Sequence, residues 1–159
     1  VNYNSKNQIV IAGHKNLIDS CESEFKAQGV KRVIILPVSV AAHSSIMKSC
    51  SDKLFKLMNN IDILKKERLF PVIHNSDASI KDSKLDIIKS LCDQVCNPVL
   101  WEKTIEKIFS ENIGNYIEIG PGKVLTGLNS KILINKDGVM SSSIDKYESI
   151  DEISEAYND

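Results

Sequence analysis

The sequence has 159 residues, enough for one domain or the larger part of one, with a sizeable buried core. Hydrophobic residues make up 42% and charged residues 26%, the balance of an ordinary globular protein. A formal net charge of -1 excludes a global field that would gather nucleic acid or an anionic membrane, so neither is expected as a partner.

Asn2 to Lys6 reads as a turn, and Gln8–Ala12 (QIVIA) as a short buried strand ending at Gly13. Leu17, Ile18, Cys21 and Phe25 fall at helical spacing between Lys15 and Gln28, with Gly29 as the stop. Lys31 to Val38 (KRVIILPV) reads as a second strand, with Pro37 at its far end. The loop Ser39-Val40-Ala41-Ala42-His43 leads into a helix whose core-facing stripe is Ile46, Met47, Cys50, Leu54, Leu57 and Met58. Phe70 to Asn75 reads as a short buried strand. A polar loop from Asp77 to Ser83 precedes a helix bearing Leu85, Ile87, Ile88, Leu91 and Val95. Pro98 stops that helix and stands near the start of the next, which carries Trp101, Ile105, Ile108 and Phe109. Tyr116 to Ile119 is a strand, Gly120-Pro121-Gly122 a turn, and Val124, Leu125 and Leu128 lie on a further helix. A strand from Gly138 to Ile144 and an acidic helix from Tyr147 to Tyr157 complete the sequence. Short apolar strands alternating with amphipathic helices predict an α/β fold with a partly parallel sheet.

The densest charge cluster, Lys65-Lys66-Glu67-Arg68, is interrupted by an acid and reads as a solvated face. Cys21, Cys50, Cys92 and Cys96 form no CxxC pair, and Cys92 and Cys96 have no histidine near them in the sequence. That spacing argues against a zinc site, so no metal is expected, and the thiols read as reduced in a cytoplasmic protein. No apolar run approaches the roughly 18 residues that cross a bilayer. The sequence opens on Val1 in polar, turn-rich residues, which reads as a fragment or a processed product.

The three histidines differ in context. His14 follows a glycine at a strand-to-helix turn, where capping is the default role, and His74 falls inside a predicted strand. His43 sits in a loop of small residues between strand and helix, where α/β enzymes place catalytic groups, though the local sequence by itself favours a capping role.

Several blocks in order carry a family resemblance. They are Asn2-Tyr3-Asn4-Ser5 with Gln8–Gly13, then Leu36-Pro37-Val38-Ser39 with His43, then Asn97-Pro98-Val99 with Trp101. The last is Glu118-Ile119-Gly120-Pro121-Gly122-Lys123-Val124-Leu125. Together they resemble the malonyl-CoA:acyl-carrier-protein transacylases, the acyltransferase family of fatty acid synthesis. The resemblance implies a hydrolase-like large subdomain (39–159) and part of a small ferredoxin-like subdomain (1–38). It implies transfer of a malonyl group from coenzyme A to the phosphopantetheine thiol of acyl carrier protein, with no cofactor. In that family a serine in a G-x-S-x-G elbow attacks the thioester and a histidine takes its proton, since a serine hydroxyl is a poor nucleophile without a positioned base. His43 matches that histidine. Gln94, just before N-P-V, matches the residue whose backbone carbonyl orients the ring, and an exposed polar helix end is its other reading. Asn2 and Asn4 match paired asparagines near the substrate cleft, with an Asx turn as the alternative. Asn75 and Asp77 match an N-x-D turn of structural character.

The sequence departs from the family in four respects. It contains no G-x-S-x-G, and no counterpart of the arginine that pairs with the malonate carboxylate or of the oxyanion donors. Ala41 replaces the usual proline near the histidine. Alone, the chain is expected not to turn over. A catalytically silent module of the same fold is therefore a second reading. A third concerns Tyr116 to Lys123, which resembles the first motif of S-adenosylmethionine-dependent methyltransferases. Val124 in place of a small residue and the short sequence that follows count against it.

Overall fold

A computed structural model describes residues 1–61, 70–145 and 149–158 of the chain. The charge cluster at 65–68 and the first predicted positions of the last helix, 147 and 148, lie outside the described residues.

The chain is a mixed α/β structure. Strands β1 (Asn2–Ser5) and β2 (Gln8–Val10) form an antiparallel hairpin, pairing Asn2 with Val10 and Tyr3 with Ile9. The expectation of a turn over 2–6 is thereby corrected: Asn2–Ser5 gains strand geometry from its ladder partner, which local propensity does not register. Nor is β2 buried, since Ile9 and Ile11 are exposed. Helix α1 (Lys15–Ala27) ends as predicted at Gly29, whose φ of +88° suits glycine. Val30 N–H bonds Phe25 O at 2.9 Å and Gly29 N–H bonds Lys26 O at 3.1 Å, a Schellman stop.

Residues 31–38 are not a strand. β-Branched side chains favour extended backbone, but a strand exists only where a neighbour accepts its hydrogen bonds. None pairs with this segment among the described residues, and Val38 is 70% exposed.

A short 3-10 turn (Ser45–Met47) leads into α2 (Lys48–Met58). Strands β3 (Ile73–His74) and β4 (Ser79–Ile80) form a small antiparallel hairpin, so the buried strand expected over 70–75 shrinks to two residues, with Phe70 and Val72 exposed. Helix α3 (Lys84–Cys96) begins at Ser83, whose hydroxyl accepts Asp86 N–H at 3.1 Å. It packs against α2 and buries Ile87, Ile88 and Cys92. The α2 stripe turned toward α3 is Met47, Ser51, Leu54, Phe55 and Met58, spaced for one helical face, while Ile46, Cys50 and Leu57 are exposed. The predicted stripe was thus rotated by about one residue.

Helix α5 (Val124–Ile132) packs on the parallel pair β5 (Asn115–Ile119) and β6 (Met140–Ile144), and α4 (Trp101–Ser110) packs on β1 and α5. The register runs from Asn115↔Met140 to Ile119↔Ile144, the partly parallel pairing that alternating strands and helices predicted. Ile105, Tyr116 and Leu133 form the core cluster, with Trp101, Ile108, Phe109, Ile132 and Val139 packed on it. Trp101 Nε1–H donates to the buried Asn129 Oδ1 at 3.1 Å, so the indole buries its ring with its polar edge satisfied. Helix α6 (Ser149–Asn158) follows β6. Among the described residues, no helix is long and apolar enough to cross a membrane.

Candidate active site

The site begins with the way α3 ends. In a continuing helix the carbonyl of Gln94 would accept the N–H of residue 98, but that residue is Pro98 and has none. The N–H of Val99 is likewise turned away from Val95, onto Val1 O at 2.8 Å. Two carbonyls at the C-terminus of α3 are therefore left for other donors, and His43 supplies both. Its backbone N–H bonds Val95 O at 3.0 Å, and its ring Nδ1 lies 2.6 Å from Gln94 O. A carbonyl can only accept, so Nδ1 carries the proton and donates, which leaves Nε2 as a free acceptor. The Gln94 amide nitrogen is 3.5 Å from the same Nδ1. A protonated Nδ1 cannot accept from it, and the much shorter carbonyl contact decides the tautomer.

His43 holds a φ of +61°, a left-handed conformation uncommon for a side chain of this size. Such a backbone persists only when its surroundings fix it. The two bonds to α3 do so from one side. From the other, Ser44 Oγ donates to Ala41 O at 2.6 Å and Met47 N–H bonds Ser44 O at 3.0 Å. The ring is half-buried, with a basic nitrogen available and its orientation set by the negative end of a 13-residue helix.

Asn2 and Asn4 reach the same region less directly. Tyr3 N–H bonds Val99 O at 2.9 Å, so β1 lies alongside the connection that leaves α3, and Asn2 bridges Val99. A bulge between Tyr3 and Ser5 shifts the register at Asn4. Both asparagines are half-buried, and among the described residues no hydrogen bond joins either to His43. Asn75 and Asp77 serve structure, as expected. Leu100 N–H bonds Asn75 O at 2.9 Å, and Asp77 Oδ1 accepts both the N–H (3.1 Å) and the hydroxyl (2.7 Å) of Ser79.

The glycine-rich turn after β5 has a different task from nucleotide binding. Gly120 and Gly122 take φ values of +145° and +85°, and the chain folds back so that Glu118 caps α5. Its carboxylate accepts Leu125 N–H at 3.1 Å, Thr126 N–H at 2.7 Å and the Thr126 hydroxyl at 2.8 Å. The acid that a methyltransferase reading needs for its cofactor is occupied by the protein's own helix. Burial pushes the Glu118 carboxyl upward, yet the bonds from Thr126 and Leu125 outweigh it and hold the group below the usual range.

Sequence reasoning missed Ser51. It is the buried residue at the centre of the α2 face, and its hydroxyl donates to Cys92 O at 2.9 Å. A polar residue in the 47-51-54-58 frame was the available signal, obscured because the stripe was drawn through hydrophobic residues alone. Two open clefts, of about 230 and 610 Å³, are lined by other residues, and His43 lines neither. Among the described residues, no group of three or more His, Cys, Asp or Glu could hold a metal ion.

No protein-family model matches the chain. It is 40% identical over 133 residues to a curated malonyl CoA-acyl carrier protein transacylase of Salmonella typhimurium, a match covering 84% of this chain and 42% of that relative. Among solved structures, a malonyl-CoA:acyl carrier protein transacylase from Xanthomonas oryzae pv. oryzae superposes with a TM-score of 0.90 at 28% identity, covering 98% of this chain and 48% of that one. A second is a malonyl-transacylase solved in complex with its type II PKS acyl-carrier protein. It gives a TM-score of 0.88 at 37% identity and covers 100% of this chain and 49% of that one. The chain spans about half the length of the curated relatives it matches.

Proposed function

We propose, from the premise that this chain belongs to the malonyl CoA-acyl carrier protein transacylase family, that it contributes the general base of a malonyl transfer from coenzyme A to acyl carrier protein. The observation that carries the reading is the 2.6 Å contact of His43 Nδ1 with Gln94 O, which reserves Nε2 for proton transfer.

In this reading a serine supplied by residues outside the present sequence gives its proton to His43 Nε2 as its oxygen attacks the malonyl thioester. The imidazolium returns the proton to the departing coenzyme A sulfur, leaving a malonyl ester on the serine. The phosphopantetheine thiol of the carrier then gives its proton to Nε2 and attacks the ester. The serine recovers its hydrogen and malonyl-carrier leaves. Gln94 acts through its carbonyl, as orienter of the ring. Asn2 and Asn4, on the strand beside residues 97–100, are read as substrate-cleft residues. The chemistry is proton transfer and acyl exchange throughout, so it requires no cofactor. We read the fold as the later part of a hydrolase-like subdomain (39–159) with part of a ferredoxin-like one (1–38), acting in the cytoplasm.

A silent acyltransferase-like module is the second reading, favoured by the lack of G-x-S-x-G in these residues. Mass spectrometry of the full-length protein after incubation with malonyl-CoA separates the two. A covalent malonyl adduct that is discharged by carrier protein is expected. An unmodified protein that still binds the carrier would establish the silent module instead.

A further inference from the structure

We infer that Ser51 is a positioning residue for His43, holding α2 in the register on α3 that aims the imidazole; the inference rests on the base role proposed above. Ser51 is 3% exposed and is the buried residue of α2, set among Met47, Leu54, Phe55 and Met58 on the face turned to α3. Its hydroxyl donates to Cys92 O at 2.9 Å, just before the last turn of α3 and two residues before Gln94. Three bonds from one stretch of chain therefore converge on residues 92–95 at the C-terminal end of α3. They are Ser51 Oγ to Cys92 O, His43 N to Val95 O, and His43 Nδ1 to Gln94 O.

Stability alone does not account for a serine here. Alanine has the higher helix propensity and would bury no hydroxyl at this interface. Cys92 O lies inside α3, where a carbonyl has the helical N–H as its ordinary partner, so losing the serine leaves no orphaned acceptor. Removing the hydroxyl is therefore expected to change unfolding little. What the hydroxyl adds is direction. Dispersion between apolar side chains has little directional preference, whereas a hydrogen bond to one carbonyl adds a specific distance and angle to the register of the two helices. His43 precedes α2 by only a short turn and sits at a strained φ, so a slide of α2 is passed to the ring.

The test uses the full-length protein with Ser51→Ala, Ser51→Thr and His43→Ala, measuring malonyl transfer to carrier protein and urea unfolding. Ser51→Ala is expected to lower kcat about tenfold, a fraction of the ~100-fold that a 1 Å misplacement can cost. The KM for malonyl-CoA and the unfolding midpoint should stay unchanged, and Ser51→Thr, which keeps the hydroxyl, should recover most of the rate. An unchanged kcat in Ser51→Ala overturns the inference. So does a loss of rate that tracks a lowered unfolding midpoint and is not recovered by threonine, which would make the role structural. His43→Ala separates the two levels. If it abolishes transfer while Ser51→Ala is silent, only the inference about Ser51 fails. If His43→Ala transfers normally, or the parent protein does not transfer at all, the base reading fails and this one with it.

Discussion

Two glycine-to-alanine substitutions in this chain should move stability in opposite directions, for reasons fixed by their surroundings. A Cβ added at Gly114 would stand 2.0 Å from the carbonyl oxygen of Gly138 and 3.1 Å from its carbon. Ordinary carbon–oxygen contact is about 3.3 Å, so one backbone must retreat by more than 1 Å. Both candidates are committed: Gly114 O accepts Met140 N–H at 2.9 Å, the bond that opens the β5–β6 ladder at Asn115↔Met140. Overpacking of this type costs about 1–3 kcal/mol, and loss of that ladder bond adds about 1 kcal/mol. Gly114→Ala should therefore destabilise by about 2–4 kcal/mol. Gly127, by contrast, lies within α5 with nothing within 4 Å of an added Cβ. There alanine removes only the excess freedom of glycine in the unfolded chain and should stabilise by about 0.4–1 kcal/mol. Urea unfolding followed by fluorescence reads both, because Trp101 is the single tryptophan and packs on the core cluster beside β5. A Gly114→Ala midpoint at or above the parent value would refute the argument, since it would mean that the close approach of the two glycines is not a constraint in the folded chain.

His43→Ala in the full-length protein should lower malonyl transfer by about 10²–10⁴-fold with the far-UV circular dichroism unchanged; near-normal transfer in a stopped assay would end the base assignment. Glu118→Gln should weaken the α5 cap by about 1 kcal/mol at neutral pH, less at high salt because the carboxylate is partly exposed. The sign with pH follows from the lowered carboxyl. Its contribution is present above the unfolded-state value of about 4.3 and is lost as pH falls through the folded value. Parent and Glu118→Gln stabilities should therefore converge in acid, and a difference that widens below pH 4 would contradict this. Asn129→Leu should cost about 1–3 kcal/mol by leaving the Trp101 N–H buried without an acceptor, read as a lowered thermal midpoint; an unchanged midpoint would show that the indole finds another partner.

The parts of the fold legible in the sequence are those set by neighbours in the chain. Gly29 had to end α1, Pro98 had to end α3, and Gly120 and Gly122 had to turn the chain between β5 and α5. Each follows from local backbone chemistry that no distant residue can alter. His43 was singled out as a base by family resemblance, because its local sequence by itself favours a capping role.

Tertiary structure decided which groups found partners. The run at 31–38 has strand-forming residues but no ladder neighbour among the described residues, and Asn2–Ser5, which looked like a turn, became a strand because β2 accepted its bonds. The α2 stripe was set by the helix it met, so Ser51 entered the interface and Cys50 did not. The contact of His43 with Gln94 O spans 51 residues of sequence. Composition and periodicity register what a residue prefers, whereas a hydrogen bond across that separation exists only once two helices have packed and a proline has left a carbonyl free to accept it.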